Sequence, residues 1–373
     1  MNKLTRFDVL VVYNGALAAS ASGVFNDRTK PFLEGSRKES YNDVYGYFLE
    51  ICQKFNLTAA FTTSADIIGA GYCKSFWQYK RKRWIKRNSS CYSRLIFDKF
   101  SPTRESIRLQ RELMFSLVEI KPFNDPGVYK LFFDKQKTYD EFSDRSIPTV
   151  PLIGDIKTAC KALKSLVCEH PNQIDFSSDI IMKDRFGAGG RNVFKFKSNQ
   201  SEDMLTILNR NTKISYVIQP FVKFDKGFTY DNHSVSTDIR LIYLKGKIVQ
   251  SYIRTAKSGE FLCNEHKGGL LTYLPLQKIP SKLIELSESI AKELSKDQSL
   301  YALDFIISNS GKVYLLEGNS QPGLDWNTSL KTNEIEAKKL INLIISDIFD
   351  KTKVQPRSQG LSHQASRASN YTN

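Results

Sequence analysis

Short apolar runs broken by single charges mark the C-terminal third of the chain. Residues 301–307, YALDFII, and 312–318, KVYLLEG, flank Ser308-Asn309-Ser310-Gly311. β-Branched and aromatic runs around Asn and Gly predict a β-hairpin. Pairing Ile307 with Lys312 sets Asp304 opposite Leu315, with Glu317 one diagonal step away on the same face, and Asn319 follows if the strand continues. Three hard oxygen donors then converge, a set suited to a magnesium ion that also holds a phosphate. The bland alternative is that both carboxylates sit on a solvated strand edge.

The same reading runs along the rest of the chain. FDVLVVY, 7–13, reads as a buried parallel strand leading into the small-residue loop NGALAASASG. Residues 41–55 carry helical spacing, and LTAAFTTSADII reads as a second strand and loop. This βαβ rhythm predicts a Rossmann-like N-terminal domain. GxGxxG is absent, which argues against a dinucleotide site. Residues 104–119 and 155–167 suit amphipathic helices, and Asp134-Lys135 opens another after a Pro/Gly-marked boundary. DIIMK, ending at Lys183, leads through Gly187-Ala188-Gly189-Gly190 to the strand NVFKF. Glycine amides can wrap phosphate oxygens, and the lysine adds a cation; a plain glycine hairpin is the alternative. Residues 201–210 read as a helix, and 216–222, YVIQPFV, as a strand ending at a proline. TDIRLIYLKGKIVQSYIRT predicts a hairpin turning at Lys245-Gly246. A three-residue turn with a bulge at Gly246 would bring Arg240 and Arg254 to one face; a two-residue turn would separate them. Asn264, His266 and Lys267 lie in the loop that follows, where a lone His is more often a surface residue than a base. Helices are expected over 281–296 and 332–350, and a disordered tail from 351 to 373.

Composition narrows the picture. The 373 residues suffice for two or three domains. A net charge of +15 favours acidic partners without naming one. Six cysteines without CxxC or zinc spacing suit reduced thiols in a cytoplasmic protein. The N-terminus fits a first strand better than a signal peptide, and no apolar run reaches membrane-spanning length. Residues 73–87, CKSFWQYKRKRWIKR, interleave seven basic residues with Phe76, Trp77, Tyr79 and Trp84. A solvated basic helix with aromatics tucked into the core is the plain reading. Docking of an acidic peptide, or of nucleic acid, is the functional one.

Taken together, the Asp-Lys start, Lys183 with GAGGRNV, the QPFV strand, the D-x-R hairpin and LEGNSQPGL resemble the ATP-grasp family over roughly 134–349. The nearest group is that of glutamate ligases and glutathione synthetase, which also contains peptide-modifying ligases. The resemblance implies an ATP-grasp fold, α/β (α+β), with a Rossmann-like domain over 1–125 and an ATP-grasp domain over 126–350. The latter would divide into a lid, about 150–215, and a C-terminal antiparallel-sheet subdomain. It implies an ATP-dependent carboxylate–amine ligase acting through an acyl phosphate, with ATP and one or two Mg2+ ions. Lys135 and Lys183 would contact phosphates under Gly187, Ala188, Gly189 and Gly190. Gln219, Pro220, Phe221 and Val222 would line the adenine pocket. Asp304, Glu317 and Asn319 would hold metal. Arg240 and Arg254 would stabilise the transferred phosphoryl group, with Asn264 assisting. Many relatives carry an acidic residue where Gln219-Pro220 stands, which leaves Asp225 as the ribose candidate. A non-catalytic ATP-binding scaffold and a basic nucleic-acid-binding protein are the other readings.

Overall fold

The computed structural model describes residues 4–23, 29–101, 105–231, 234–264, 267–294, 299–324 and 330–354. His266, Asp325, Trp326 and the tail from 355 onward lie outside the described residues.

The N-terminal part grows from one buried strand. After β1 (Thr5–Arg6), every residue of β2 (Val9–Tyr13) is buried. Helix α1 (Tyr41–Lys54) crosses over to β3 (Ala59–Thr63), which pairs with β2 in parallel. Short strands β4 (Ile67–Gly69) and β5 (Tyr72–Cys73) follow, then β6 (Phe76–Lys80), β7 (Arg83–Arg87), β8 (Cys91–Tyr92) and β9 (Leu95–Lys99). Helix α2 (Glu105–Met114) and β10 (Lys121–Pro122) complete this part. One sheet has the order β10-β9-β2-β3-β6-β7; the short strands form a second, β1-β8-β5-β4. The parallel β10-β9-β2-β3 core is the expected βαβ arrangement.

Residues 73–87 are not a helix. They form the β6–β7 hairpin, turning at Arg81 and Lys82, both at positive φ (50° and 59°). Period-two alternation explains the difference: Trp77 pairs with Phe61 of β3, is fully buried, and its indole N–H donates to the Ala19 carbonyl at 2.8 Å. The basic residues Lys80, Arg81, Lys82, Arg83 and Arg87 stay exposed, and β7 forms the sheet edge. Charged residues there blunt edge-to-edge pairing.

Two capped helices link this part to the rest. Asp125 caps α3 (Pro126–Phe133), which the sequence reading passed over as a boundary, and Asp134 caps α4 (Lys135–Glu141). Next come β11 (Val150–Pro151), α5 (Ile156–Glu169), β12 (Phe176–Asp184), β13 (Val193–Phe196), α6 (Ser201–Arg210) and β14 (Tyr216–Val222). Their antiparallel sheet has the order β11-β14-β12-β13, and Leu163 and Met204 of the helices pack on Met182 and Ile218. Pro220 lies inside β14, opposite Ile180, rather than ending it. Asp155 caps α5 by accepting from the Thr158 amide at 3.0 Å. Asp155→Ala is expected to lower the midpoint of urea denaturation, because the Thr158 amide loses its capping acceptor.

The last sheet holds β15 (Thr237–Leu244), β16 (Lys247–Thr255) and β17 (Leu270–Tyr273), then, after α7 (Ser281–Leu294), β18 (Leu300–Ile307) and β19 (Val313–Asn319). Its order is β17-β16-β15-β18-β19, all antiparallel. Leu241 and Leu303 on one face pack against α7 and Phe132 of α3. On the other face Ile242 and Ala302 join a core shared with α1 and with Ile341 and Ile345 of α8 (Lys331–Val354). All six cysteines are free thiols, and among the described residues no helix is long and apolar enough to cross a membrane.

Candidate functional site

Two β-bulges bring the charged residues of the last sheet together. Leu244 pairs with Lys247, so the Lys245-Gly246 turn has two residues, both at positive φ (53° and 68°). Ile242 then pairs with Gln250 while Tyr243 pairs with Ile248, leaving Val249 as an extra residue. The bulge therefore lies at Val249 rather than in a three-residue turn at Gly246. It still puts Arg240 and Arg254 on one face. In the β18–β19 hairpin Ile307 faces Val313, not Lys312. A second bulge at Leu316 then sets Glu317 directly opposite Asp304, where a diagonal was expected, and Asn319 opposite Ala302.

The centre of this face is a buried ion-pair node. Asp304 is fully buried and accepts from Arg240 Nε at 2.5 Å, Arg240 Nη2 at 2.6 Å and Arg254 Nη2 at 2.8 Å. Arg254 also donates to both oxygens of Asp238, at 2.7 and 3.0 Å. Two guanidiniums thus balance two carboxylates, as buried charge requires. Burial pushes the Asp304 carboxyl up, but Arg240 and Arg254 outweigh it and hold it at about 2. Asp238 goes the other way, to about 6, because burial and the Asp304 charge outweigh Arg254.

Across the cleft the β12–β14 strands supply the opposing surface. Lys183, near the end of β12, faces Val193 and Val217 and is 6% exposed. Burial drives its amine down to about 7; Lys135 adds to that and Glu317 opposes it. Among the described residues the side chain of Lys183 makes no hydrogen bond or ion pair, nor does that of Glu317. The glycine loop folds over them. Gly189 and Gly190 sit at φ of 69° and 68°, and a Cβ on Gly190 would lie 2.5 Å from Asn264 Oδ1, so only glycine allows that approach. Lys135 Nζ donates to the Gly187 carbonyl, while the neighbouring Asp134 holds Arg185 at 2.6 and 2.7 Å. Gln219 Nε2 donates to Thr149 Oγ1 at 2.6 Å.

These surfaces line a cleft that is partly open to solvent. Its charged and polar lining is Lys135, Lys183, Asp238, Arg254, Asn264 and Glu317 beside Gly187–Gly190. Ile181, Phe221, Val222, Phe224, Ile306 and Leu316 add apolar surface, with Gln219 and Pro220. Such a lining can hold both a flat apolar ring and a polyanion. Of the predicted residues, Arg240 and Asp304 are not among its lining and form the ion-pair node under it. Asn319 lies in an adjoining chamber, and its Oδ1 accepts from the Gln321 amide at 2.9 Å. Asp225 lies in a separate surface cleft, bonded by Asn309 Nδ2 at 2.9 Å.

Sequence reasoning gave no role to several residues. Asp238 was visible on its strand, yet nothing marked it as the partner of Arg254. Lys99 Nζ donates to the carbonyls of Gln321 and Pro322 (3.2 and 2.6 Å), and Gln321 Nε2 donates to Asp98 at 2.9 Å. These contacts fix the segment after Asn319 against the N-terminal sheet. They join residues more than two hundred positions apart, so no local pattern could signal them.

A profile of the RimK-like ATP-grasp domain matches residues 154–344. The chain is 27% identical over 182 residues to a probable alpha-L-glutamate ligase 2 of Hahella chejuensis, covering 48% of this chain and 54% of that protein. It spans about half or less of the length of the curated relatives it matches. The fold is similar to the crystal structure of D-cycloserine synthetase DcsG, with a TM-score of 0.58 at 12% identity over 92% of this chain and 99% of that one. It is also similar to the ATP-grasp ligase PsnB complexed with a phosphomimetic variant of a minimal precursor, Mg and ADP, with a TM-score of 0.51 at 10% identity over 92% and 99%. At these identities the structural likeness is one of fold.

Proposed function

We propose, from the premise that the chain belongs to the RimK-like ATP-grasp family, that it is an ATP-dependent carboxylate–amine ligase. The observation that carries this reading is that Lys135, Lys183 and the glycine loop line one cavity with Glu317, Arg254 and a set of apolar side chains. A carboxylate is a poor acyl donor because its leaving group is oxide-like. Transfer of the γ-phosphoryl group of ATP to it breaks the bond to the β-phosphate, releases ADP and forms an acyl phosphate. An amine then attacks the acyl carbon, phosphate leaves, and a proton passes to solvent.

This chain's residues position and neutralise. The backbone of Gln219 to Val222 and the neighbouring apolar side chains would take the adenine. Lys135, Lys183 and the amides of Gly187–Gly190 would hold phosphates, and the loop would shield the acyl phosphate from water. Arg254, with Arg240 behind it, would stabilise the transferred phosphoryl group, and Asn264 would fix the loop. Of the three expected donors, Glu317 is an unpaired carboxylate at the cavity and Asn319 stands two residues further along the strand; these two would hold a hard cation, while the oxygens of Asp304 are taken by Arg240 and Arg254 behind them. Magnesium held there would neutralise phosphate oxygens. The substrates would be an amino acid or peptide, and the exposed basic hairpin β6–β7 would attract an acidic segment of such a peptide. The cytoplasm is the compartment such chemistry and free thiols suit.

Calorimetric titration of Mg-ATP tests the reading. Magnesium-dependent binding to the wild type, lost or weakened at least tenfold in Glu317→Ala, is expected. Equal binding in both proteins, or none in either, would sink it.

A further inference from the structure

The β6–β7 hairpin concentrates charge outside the nucleotide cleft. Between Asp66 and Asp98 the chain carries eight basic residues and no acidic one, and six of the eight fall at 80–83 and 86–87. Register sorts them. Lys80 pairs with Arg83, Gln78 with Ile85 and Phe76 with Arg87, and residues directly opposite share a face. Lys80, Arg83 and Arg87, all exposed, therefore stand on one face with Gln78 and Ile85. Arg87 Nε donates to Gln78 Oε1 at 3.0 Å, which leaves the outer guanidinium nitrogens for another acceptor. The opposite face carries Trp77, Tyr79 and Trp84 and packs toward α1. A cleft on that side sets Asp43 and Glu50 of α1 and Glu334 of α8 around Lys82.

β7 is also an open edge. Among the described residues β6 is its only strand partner. One row of its backbone groups thus turns outward, the template that an added strand uses. The edge is held in place by its inner face. Trp84 packs on Phe61, Trp77 and Tyr79 with ring centroids 5.9, 6.5 and 5.0 Å away, and Gln53 Nε2 donates to the Tyr79 carbonyl at 2.9 Å. An edge fixed in advance lowers the ordering cost of binding.

Charge and ring placement select the occupant. A second copy would set arginines and lysines of β7 against their own kind, and like charges directly opposite destabilise a strand pair. Single-stranded nucleic acid needs exposed rings on which bases stack. Here Trp77 is fully buried and Trp84 is committed to its three neighbours. An acidic segment in extended conformation meets both the backbone row and the charge.

We propose that β7 binds an acidic peptide segment as an added strand, with carboxylates beside Arg83 and Arg87 and an apolar side chain beside Ile85. Side-chain alternation fixes the spacing as acidic, any, apolar, any, acidic. The segment is a recognition element separate from the residue that reacts. That link to turnover rests on the ligase reading above; the binding itself does not.

Fluorescence anisotropy with the full chain tests it. The probe is the labelled peptide Gly-Ser-Glu-Thr-Val-Thr-Glu-Ser-Gly. Binding is expected to weaken as salt rises and to be about tenfold weaker in the double variant Arg83→Glu, Arg87→Glu. Thermal melting and Mg-ATP binding of that variant should match the wild type, since both side chains are exposed. The same peptide N-methylated at its Thr-Val-Thr amides keeps its charge and loses its donors; it should not bind, a result that needs no variant. Equal binding by the double variant would overturn the proposal by placing the contact elsewhere. Equal binding of the N-methylated peptide would overturn it by reducing the contact to charge alone. Failure of the unmodified peptide to bind would overturn it as well. Labelled oligouridylate bound more tightly than the peptide, and lost in the double variant, would replace it with a nucleic-acid surface. Peptide binding in a wild type that does not bind Mg-ATP would remove the ligase reading and leave the docking edge; Mg-ATP binding without peptide binding would do the reverse.

Discussion

Replacing Asp304 with alanine is expected to cost the fold about 3–5 kcal/mol, the usual loss when one partner leaves a buried ion pair. Its two oxygens accept three guanidinium hydrogen bonds. Arg254 would keep Asp238, but Arg240 would keep only the Tyr252 hydroxyl at 3.2 Å. A stranded buried cation is far more expensive than a missing pair. The double variant Asp304→Leu, Arg240→Met should therefore recover most of the loss in urea denaturation, and still fail to form ADP. A loss under about 1 kcal/mol in Asp304→Ala would mean that water reaches the node, since exposed ion pairs contribute that little. Acid titration gives a second check. The folded value of about 2 lies below the ordinary 3.8, so the unfolded chain takes up the proton first. The contribution of Asp304 is whole above pH 3.8 and is lost as pH falls through about 2. The variant should lack that part of the acid slope.

The same residue shows what the sequence could and could not reveal. Apolar runs interrupted by Asp304 and Glu317 gave the hairpin and the face on which both lie, because side-chain alternation is a local property. The register was off by one pair, and the Leu316 bulge shifted it further, because bulges leave no mark in alternation until the partner strand is known. Arg240 and Arg254 reached one face by a bulge three residues from the one expected, for the same reason. The ion pairs of Asp304 were invisible: they join strands sixty-four and fifty residues apart. Residues 73–87 misled in another way. Basic residues bunched at 80–83 and 86–87 mark neither period, and the buried Trp77 decided for the strand. Helices α5 and α7 were legible because each has its own apolar stripe. The short α3 was hidden by the Pro and Gly that open it.

Lys183→Met carries the other large effect, on turnover rather than stability. Burial holds this amine at about 7, far below its ordinary 10.5. Between those values the unfolded chain binds more protons than the folded one, so stability rises with pH from 7 toward 10.5. Lys183→Met should remove that slope and be as stable as the wild type, or more so, below pH 7. Phosphate favours the charged amine, so nucleotide binding above pH 7 should take up a proton. That uptake would be read by calorimetry in buffers of different ionisation heat and would be absent in the variant. Affinity in the wild type should accordingly fall as pH rises above that value. ADP formation in Lys183→Met should drop by about 10²–10³, the scale for loss of one preorganised charge-stabilising donor. A lysine that merely filled space would give the stability gain with turnover intact. Loss of turnover together with loss of the proton uptake assigns the cost of burying this cation to phosphate binding.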